Sequence, residues 1–161
     1  MTSLFCTKTR RGAAVAAAAL IFLLAAVAAH AQQEQNYVGS ARCGECHDEQ
    51  YEFYSKNSKK ARSWHSVERM QRKLTPSELE SCYDCHTTGH GRPGGFVSHE
   101  TTPQLADVGC ETCHGPGGRH AESGDPADIK RTPTLEDCQR CHNSDRIQDF
   151  KFKPLRFSGA H

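Results

Sequence analysis

The sequence is short of what builds an ordinary hydrophobic core. Hydrophobic residues make up 36% of its 161 positions and aromatics 7%, with a single tryptophan. Strand signals, meaning runs of β-branched and aromatic residues with period-two alternation, are scarce. Basic residues number 20 against 19 acidic ones, and they are not interleaved with aromatics, so nothing points to nucleic acid. The one long apolar run, residues 12–29, sits near the N-terminus. So little apolar material, beside abundant glycine, proline and charge, is the composition of chains that stay disordered. A folded domain here needs apolar matter from another source.

Cysteine is the exception to this poverty. There are nine, and eight of them fall in four copies of one pentapeptide. The copies are Cys43-Gly44-Glu45-Cys46-His47, Cys82-Tyr83-Asp84-Cys85-His86, Cys110-Glu111-Thr112-Cys113-His114 and Cys138-Gln139-Arg140-Cys141-His142. C-x-x-C-H is the attachment pattern of c-type haem, in which the cysteines form thioethers to the porphyrin and the histidine is the proximal iron ligand. One helical turn sets both sulfurs on one porphyrin edge and brings the imidazole under the iron. Paired C-x-x-C also binds zinc, but zinc ribbons seldom put histidine after every second cysteine. A disulfide framework is the remaining reading. Four covalent haems are the expected cofactors, with no disulfides, and they supply the missing apolar material much as metals organise small metal-dependent domains.

The ninth cysteine, Cys6, lies in a segment that reads as an export signal. Lys8, Arg10 and Arg11 form a basic region, residues 12–29 are apolar and alanine-rich, and Ala29-His30-Ala31 has the small-x-small pattern of a cleavage site. The expectation is cleavage after Ala31, leaving residues 32–161 as one tetrahaem domain in the periplasm or outside the cell. The competing reading is an uncleaved anchor, since the run approaches the roughly 20 residues that span a bilayer. Removing the leader's three basic residues leaves 17 against 19 acidic ones, a net of −2. Four ferric haems with ionised propionates take the holoprotein to about −6.

The second, third and fourth motifs begin 28 residues apart, at Cys82, Cys110 and Cys138. Each follows a Thr-Pro pair: Thr75-Pro76, Thr102-Pro103 and Thr132-Pro133. Threonine at N-cap and proline at N1 start a helix well, and Glu78 completes a capping box with Thr75. Three short helices running into their motifs are therefore expected, with a longer one over residues 48–73 after the first. Glycine- and proline-rich loops separate them. The fold class is mainly α with extensive loops, organised around four stacked haems, with little or no sheet.

Residues between the motifs carry a resemblance. They are Tyr37-Val38-Gly39-Ser40, Cys85-His86-Thr87-Thr88-Gly89, Gly95-Phe96-Val97, Val108-Gly109-Cys110-Glu111, Cys113-His114-Gly115-Pro116-Gly117, His120, and Phe150-x-Phe152 leading to His161. Together they resemble the multihaem cytochromes typified by the tetrahaem electron acceptor of hydroxylamine oxidoreductase, the cytochrome c-554 family. The resemblance covers nearly all of residues 32–161. It implies closely stacked haem pairs, two histidines on most irons, one five-coordinate haem at the second motif in the type member, and electron transfer as the usual task. It also implies His120 as distal ligand to the haem of the first motif and His161 to that of the third.

Ten histidines are present; four are proximal and His30 lies in the leader, leaving His65, His90, His99, His120 and His161. The family's Ser-x-His-Ala, which serves the fourth haem, is here Ser58-Lys59-Lys60-Ala61. That leaves three options: His65 takes over, Lys60 binds as a neutral amine, or the iron stays open. His65 is favoured, because an imidazole ligates near neutral pH while lysine must lose a proton with pKa about 10. His90 stands where the family usually has tyrosine. It cannot easily reach its own iron, since axial α-carbons lie about 12 Å apart and four residues from His86 span at most about 14 Å. His99 has the longer tether and is the candidate for the second haem; His90 is expected beside a haem, at an interface, or on a haem of another subunit.

The expected function is electron transfer between redox partner proteins, without nucleic acid or a permanent membrane anchor. Self-association through haem stacking, as in a haem filament, is compatible with it. The alternatives are an oxidoreductase with one open haem acting on a small nitrogen or sulfur compound, and a membrane-anchored tetrahaem quinol dehydrogenase.

Overall fold

The computed structural model describes residues 36–143. The chain divides into two units between Glu34 and Gln35, and the described residues belong to the second. The expected export signal and its expected cleavage site at Ala31, with Phe150, Phe152 and His161, lie outside the described residues. Among those described there is no strand, and no helix is long and apolar enough to cross a membrane.

Among the described residues seven short α-helices occur, in the order α1 Ser40–Gly44, α2 Asp48–Asn57, α3 Trp64–Met70, α4 Pro76–His86, α5 Cys110–His114, α6 Gly118–Ser123 and α7 Leu135–Gln139. Each C-x-x-C-H forms one helical turn. The His47 N–H donates to the Cys43 carbonyl at 2.9 Å, as His142 does to Cys138, and the second and third motifs lie inside α4 and α5. The capping box expected at α4 is present: the Thr75 N–H donates to the Glu78 carboxylate at 2.8 Å and Thr75 Oγ1 accepts from the Glu78 N–H.

Three expected helices differ. The single helix over 48–73 is broken after Asn57, where Ser58 turns extended (φ −89°, ψ 127°) and the chain continues as a 3-10 turn, Lys60–Arg62, before α3. Side chains supply competing partners. Ser58 Oγ accepts from the Lys60 N–H at 3.3 Å, and the Trp64 N–H goes to the Asp107 carboxylate at 2.9 Å. At Thr102 only a 3-10 turn forms, Pro103–Leu105, because the Leu105 carbonyl accepts from the Thr88 N–H at 2.9 Å and that of Asp107 from the Thr88 hydroxyl at 2.6 Å. The fourth helix starts at Thr134 instead of Thr132, and the Asp137 carboxylate returns to the Thr134 N–H at 2.7 Å.

The core is thin. Among the described residues the buried hydrophobics are Trp64, Val67, Phe96, Leu105, Ala106 and Val108, with Tyr37, Leu79, Cys82 and Tyr83 packed at the edge. Trp64, Tyr83 and Phe96 meet ring to ring at 5.1–5.9 Å between centroids. Six side chains fall short of the apolar burial a domain of this size needs, as the composition implied.

Candidate haem-attachment sites

The third motif anchors the first. Glu111, a spacer residue of the third motif, is 2% exposed, and its carboxylate accepts three backbone N–H groups: Val38 at 3.0 Å, Gly39 at 2.7 Å and Gly117 at 2.7 Å. A buried carboxylate is tolerable only when its lone pairs are satisfied in this way. Ser40 at the start of α1 accepts from the Cys110 N–H at 3.0 Å, and the Asn36 carbonyl from Gly118 at 2.9 Å. The approach is close enough to require glycine at position 109, where a Cβ would stand 2.4 Å from Ser40 Oγ.

Across this contact the Cys43 and Cys110 thiols lie within hydrogen-bonding reach. The bond to Cys110 pushes the Cys43 thiol up, and the same bond brings Cys110 down to about 6. Cys141 is pushed to about 12 by burial and by the neighbouring Cys85, and the Cys141 thiol points at the Asp84 carbonyl at 3.7 Å. Burial and then the charge of Cys138 raise Cys113. The first and third, the third and fourth, and the fourth and second motifs thus lie close enough for their cysteines to act on one another. Thioether formation removes every one of these titrations and leaves the proximity.

The first site has a matched pair of imidazoles. The His47 and His120 rings are 6.1 Å apart between centroids with their planes 22° apart. Two imidazoles on opposite sides of one metal have ring centres about 6 Å apart, from two bonds of about 2 Å and a ring radius on each side. His120 Nδ1 lies 2.9 Å from the Asp125 carbonyl, so Nδ1 carries the proton and Nε2 presents its lone pair. Gly124, at φ +70°, makes the left-handed turn that ends α6 and brings Asp125 back to His120. His114 and His86 are set in the same way, with Nδ1 at 2.7 Å from the Lys130 carbonyl and 3.1 Å from that of Ser63. Three imidazoles therefore have the tautomer an iron ligand needs. The residues present fit covalent haem. Among the described residues no three of His, Cys, Asp and Glu converge as a zinc site requires, and the eight motif cysteines are unbridged.

The other histidines are held differently. His65 is exposed on α3, its carbonyl accepting from the Arg69 guanidinium at 3.2 Å. His99 is exposed and stacks on Trp64 at 5.1 Å, with planes 14° apart. His90 bonds the Asp84 carboxylate at 2.8 Å and meets Tyr83 edge-on. Lys60 lies close enough to Cys113, Cys138 and His142 to act on all three by charge; burial first and then Lys60 lower His142.

Three positioning residues carried no sequence signal of their own role. Ser63 donates its hydroxyl to the His86 carbonyl at 2.8 Å while accepting from the Val108 N–H at 3.0 Å. Lys130 joins the third motif to the fourth: its carbonyl holds His114, and its amine bonds Asp137 at 2.6 Å, bringing that carboxyl down to about 2. Glu111 is visible in the sequence only as part of the resemblance.

Residues 42–115 match the model of the family described as cytochrome c554 and c-prime. Cytochrome c-554 of Nitrosomonas europaea is 31% identical over 142 aligned residues, which cover 78% of this chain and 57% of that protein. The chain thus spans a little over half the length of this relative. No solved structure matches. By its motifs, by the family model and by this relative, the chain belongs to the cytochrome c-554 family.

Proposed function

We propose that residues 32–161 form a periplasmic or extracellular one-electron relay with four covalent haems, exported by the cleaved segment 1–31. The observation that supports it is the proximity of successive motifs, whose cysteines Cys43 and Cys110, Cys113 and Cys138, and Cys141 and Cys85 lie close enough to act on one another. Each haem, when bound, supplies an iron that cycles between ferric and ferrous by one electron. The chain's part is to hold the attachment points adjacent and fix each proximal imidazole in one tautomer. It also closes the distal face where it has a side chain to do so.

His47, His86, His114 and His142 are the proximal ligands in this reading. His120 is the distal ligand of the first site, supported by the 6.1 Å ring separation. His161 is assigned to the third and His99 to the second, the latter after leaving its stack on Trp64. Redox proteins are the partners, and haem edges at the surface offer a route to self-association.

A reductive titration tests the relay. Purified holoprotein should accept four one-electron equivalents and pass them to a second redox protein without turning over small substrates. Sustained reduction or oxidation of a small nitrogen or sulfur compound by the protein alone would instead favour an open catalytic haem.

A further inference from the structure

The histidines of the second and third motifs are each gripped at two points by one distant residue, and the two grips differ. At the third motif Lys130 makes both contacts with its backbone. Its carbonyl accepts from His114 Nδ1 at 2.7 Å, and its N–H donates to the His114 carbonyl at 3.2 Å. At the second motif the Ser63 carbonyl accepts from His86 Nδ1 at 3.1 Å, but the Ser63 N–H is already given to the Lys60 carbonyl at 3.1 Å. That bond belongs to the 3-10 turn before α3. The Ser63 hydroxyl supplies the missing donor, reaching the His86 carbonyl at 2.8 Å. The second grip therefore depends on a side chain, and the third does not.

That side chain is itself held. Ser63 Oγ accepts from the Val108 N–H at 3.0 Å, which leaves its single proton directed at His86. The next residue, Trp64, gives its N–H to the Asp107 carboxylate at 2.9 Å. Residues 107–109 form a short strap leading into Cys110, and two more hydroxyls fasten it. Tyr54 donates to the Val108 carbonyl at 2.6 Å, while Thr88 donates to the Asp107 carbonyl at 2.6 Å and accepts from the Gly109 N–H at 2.8 Å. Val108 is buried, so water does not readily replace the serine hydroxyl there.

We propose that Ser63 is the positioning residue of the second site, its hydroxyl setting the orientation of the His86 imidazole. The inference rests on His86 being the proximal iron ligand, as proposed above. A carbonyl held against the Nδ1 proton fixes the plane of the ring and makes the opposite nitrogen, Nε2, a stronger donor. A stronger donor favours ferric over ferrous iron, so the hydroxyl keeps the potential of this one site low.

The test uses intact holoprotein with haem loading checked by mass. Ser63→Ala removes both hydroxyl bonds and leaves the backbone carbonyl in place. It should raise one of the four midpoint potentials in a spectroscopic redox titration. It should also alter one ferric signal in low-temperature electron paramagnetic resonance, with the other three unchanged. Ser63→Thr keeps a hydroxyl and should return both readings to those of the parent. Where Ser63→Ala does not fold, Ser63→Cys, close in size but a weak donor, carries the same expectation. Lower stability with every potential and signal unchanged makes Ser63 a structural residue only and overturns the proposal. So does a shift spread over all four haems, or one that Ser63→Thr does not reverse. Protein that folds with no haem mass at all fails the haem reading itself, a different result from any of these.

Discussion

The neighbourhoods of the first and fourth motifs solve one problem with different chemistry. At the first, two imidazoles stand 6.1 Å apart, and a buried carboxylate satisfied by three N–H groups ties the motif to its neighbour. At the fourth, burial and then the charge of Lys60 lower His142, and the tie to the third motif is the solvent-facing Lys130–Asp137 pair. A carboxylate bonded by backbone N–H groups fixes position regardless of side-chain rotamers. A long cation–carboxylate pair holds its partners more loosely and is screened by solvent. The tie at the first motif is thus the more rigid of the two.

The largest way to break this contrast is Glu111→Ala. It strands two buried N–H groups and one half-buried one, and should cost about 3–5 kcal/mol in denaturant melts of the holoprotein. A loss below about 1 kcal/mol would mean that water or a shifted loop replaces the carboxylate. Next is Gly109→Ala, whose methyl would meet Ser40 Oγ at 2.4 Å. Overpacking of this kind costs about 1–3 kcal/mol. It should disturb the first and third haems in the visible spectrum while leaving the fourth unchanged.

Thr75→Ala removes the cap of α4, which leads into the second motif, and should cost about 1 kcal/mol in the same melts. The smallest effect belongs to Lys130→Met, a fraction of a kcal/mol at neutral pH. Its sign with pH is fixed. Asp137 has its carboxyl lowered from 3.8 to about 2 by Lys130, so the pair's contribution is present above pH 4 and fades as pH falls toward 2. Parent and variant stabilities should therefore converge over that acid range; a constant gap would show that Lys130 acts through packing.

The haem pattern, the shortage of strands and the α4 cap were legible because each depends on residues close in sequence. A C-x-x-C-H turn and a Thr-Pro-x-Glu box are local chemistry. The break at Ser58 and the failure of a helix after Thr102 were not legible, because the competing partners, Asp107 and Thr88, lie 43 and 17 residues away from Trp64 and Leu105. Glu111 shows the same limit: its identity stood in a motif spacer, but its partners at Val38 and Gly39 come from the other end of the domain. Glycines 39, 89, 95 and 109, quoted only for their resemblance, prove to be places where two chain segments touch.

The central claim is that four covalent haems stand in for the missing core, and intact mass of the exported protein tests it most directly. The account predicts one species beginning at Gln32 and carrying the added mass of four haems, which unfolds when the haem attached at Cys138 and Cys141 is removed by changing both cysteines. A folded species with no haem mass, or one whose mass instead falls by the hydrogens lost to disulfides, would contradict it.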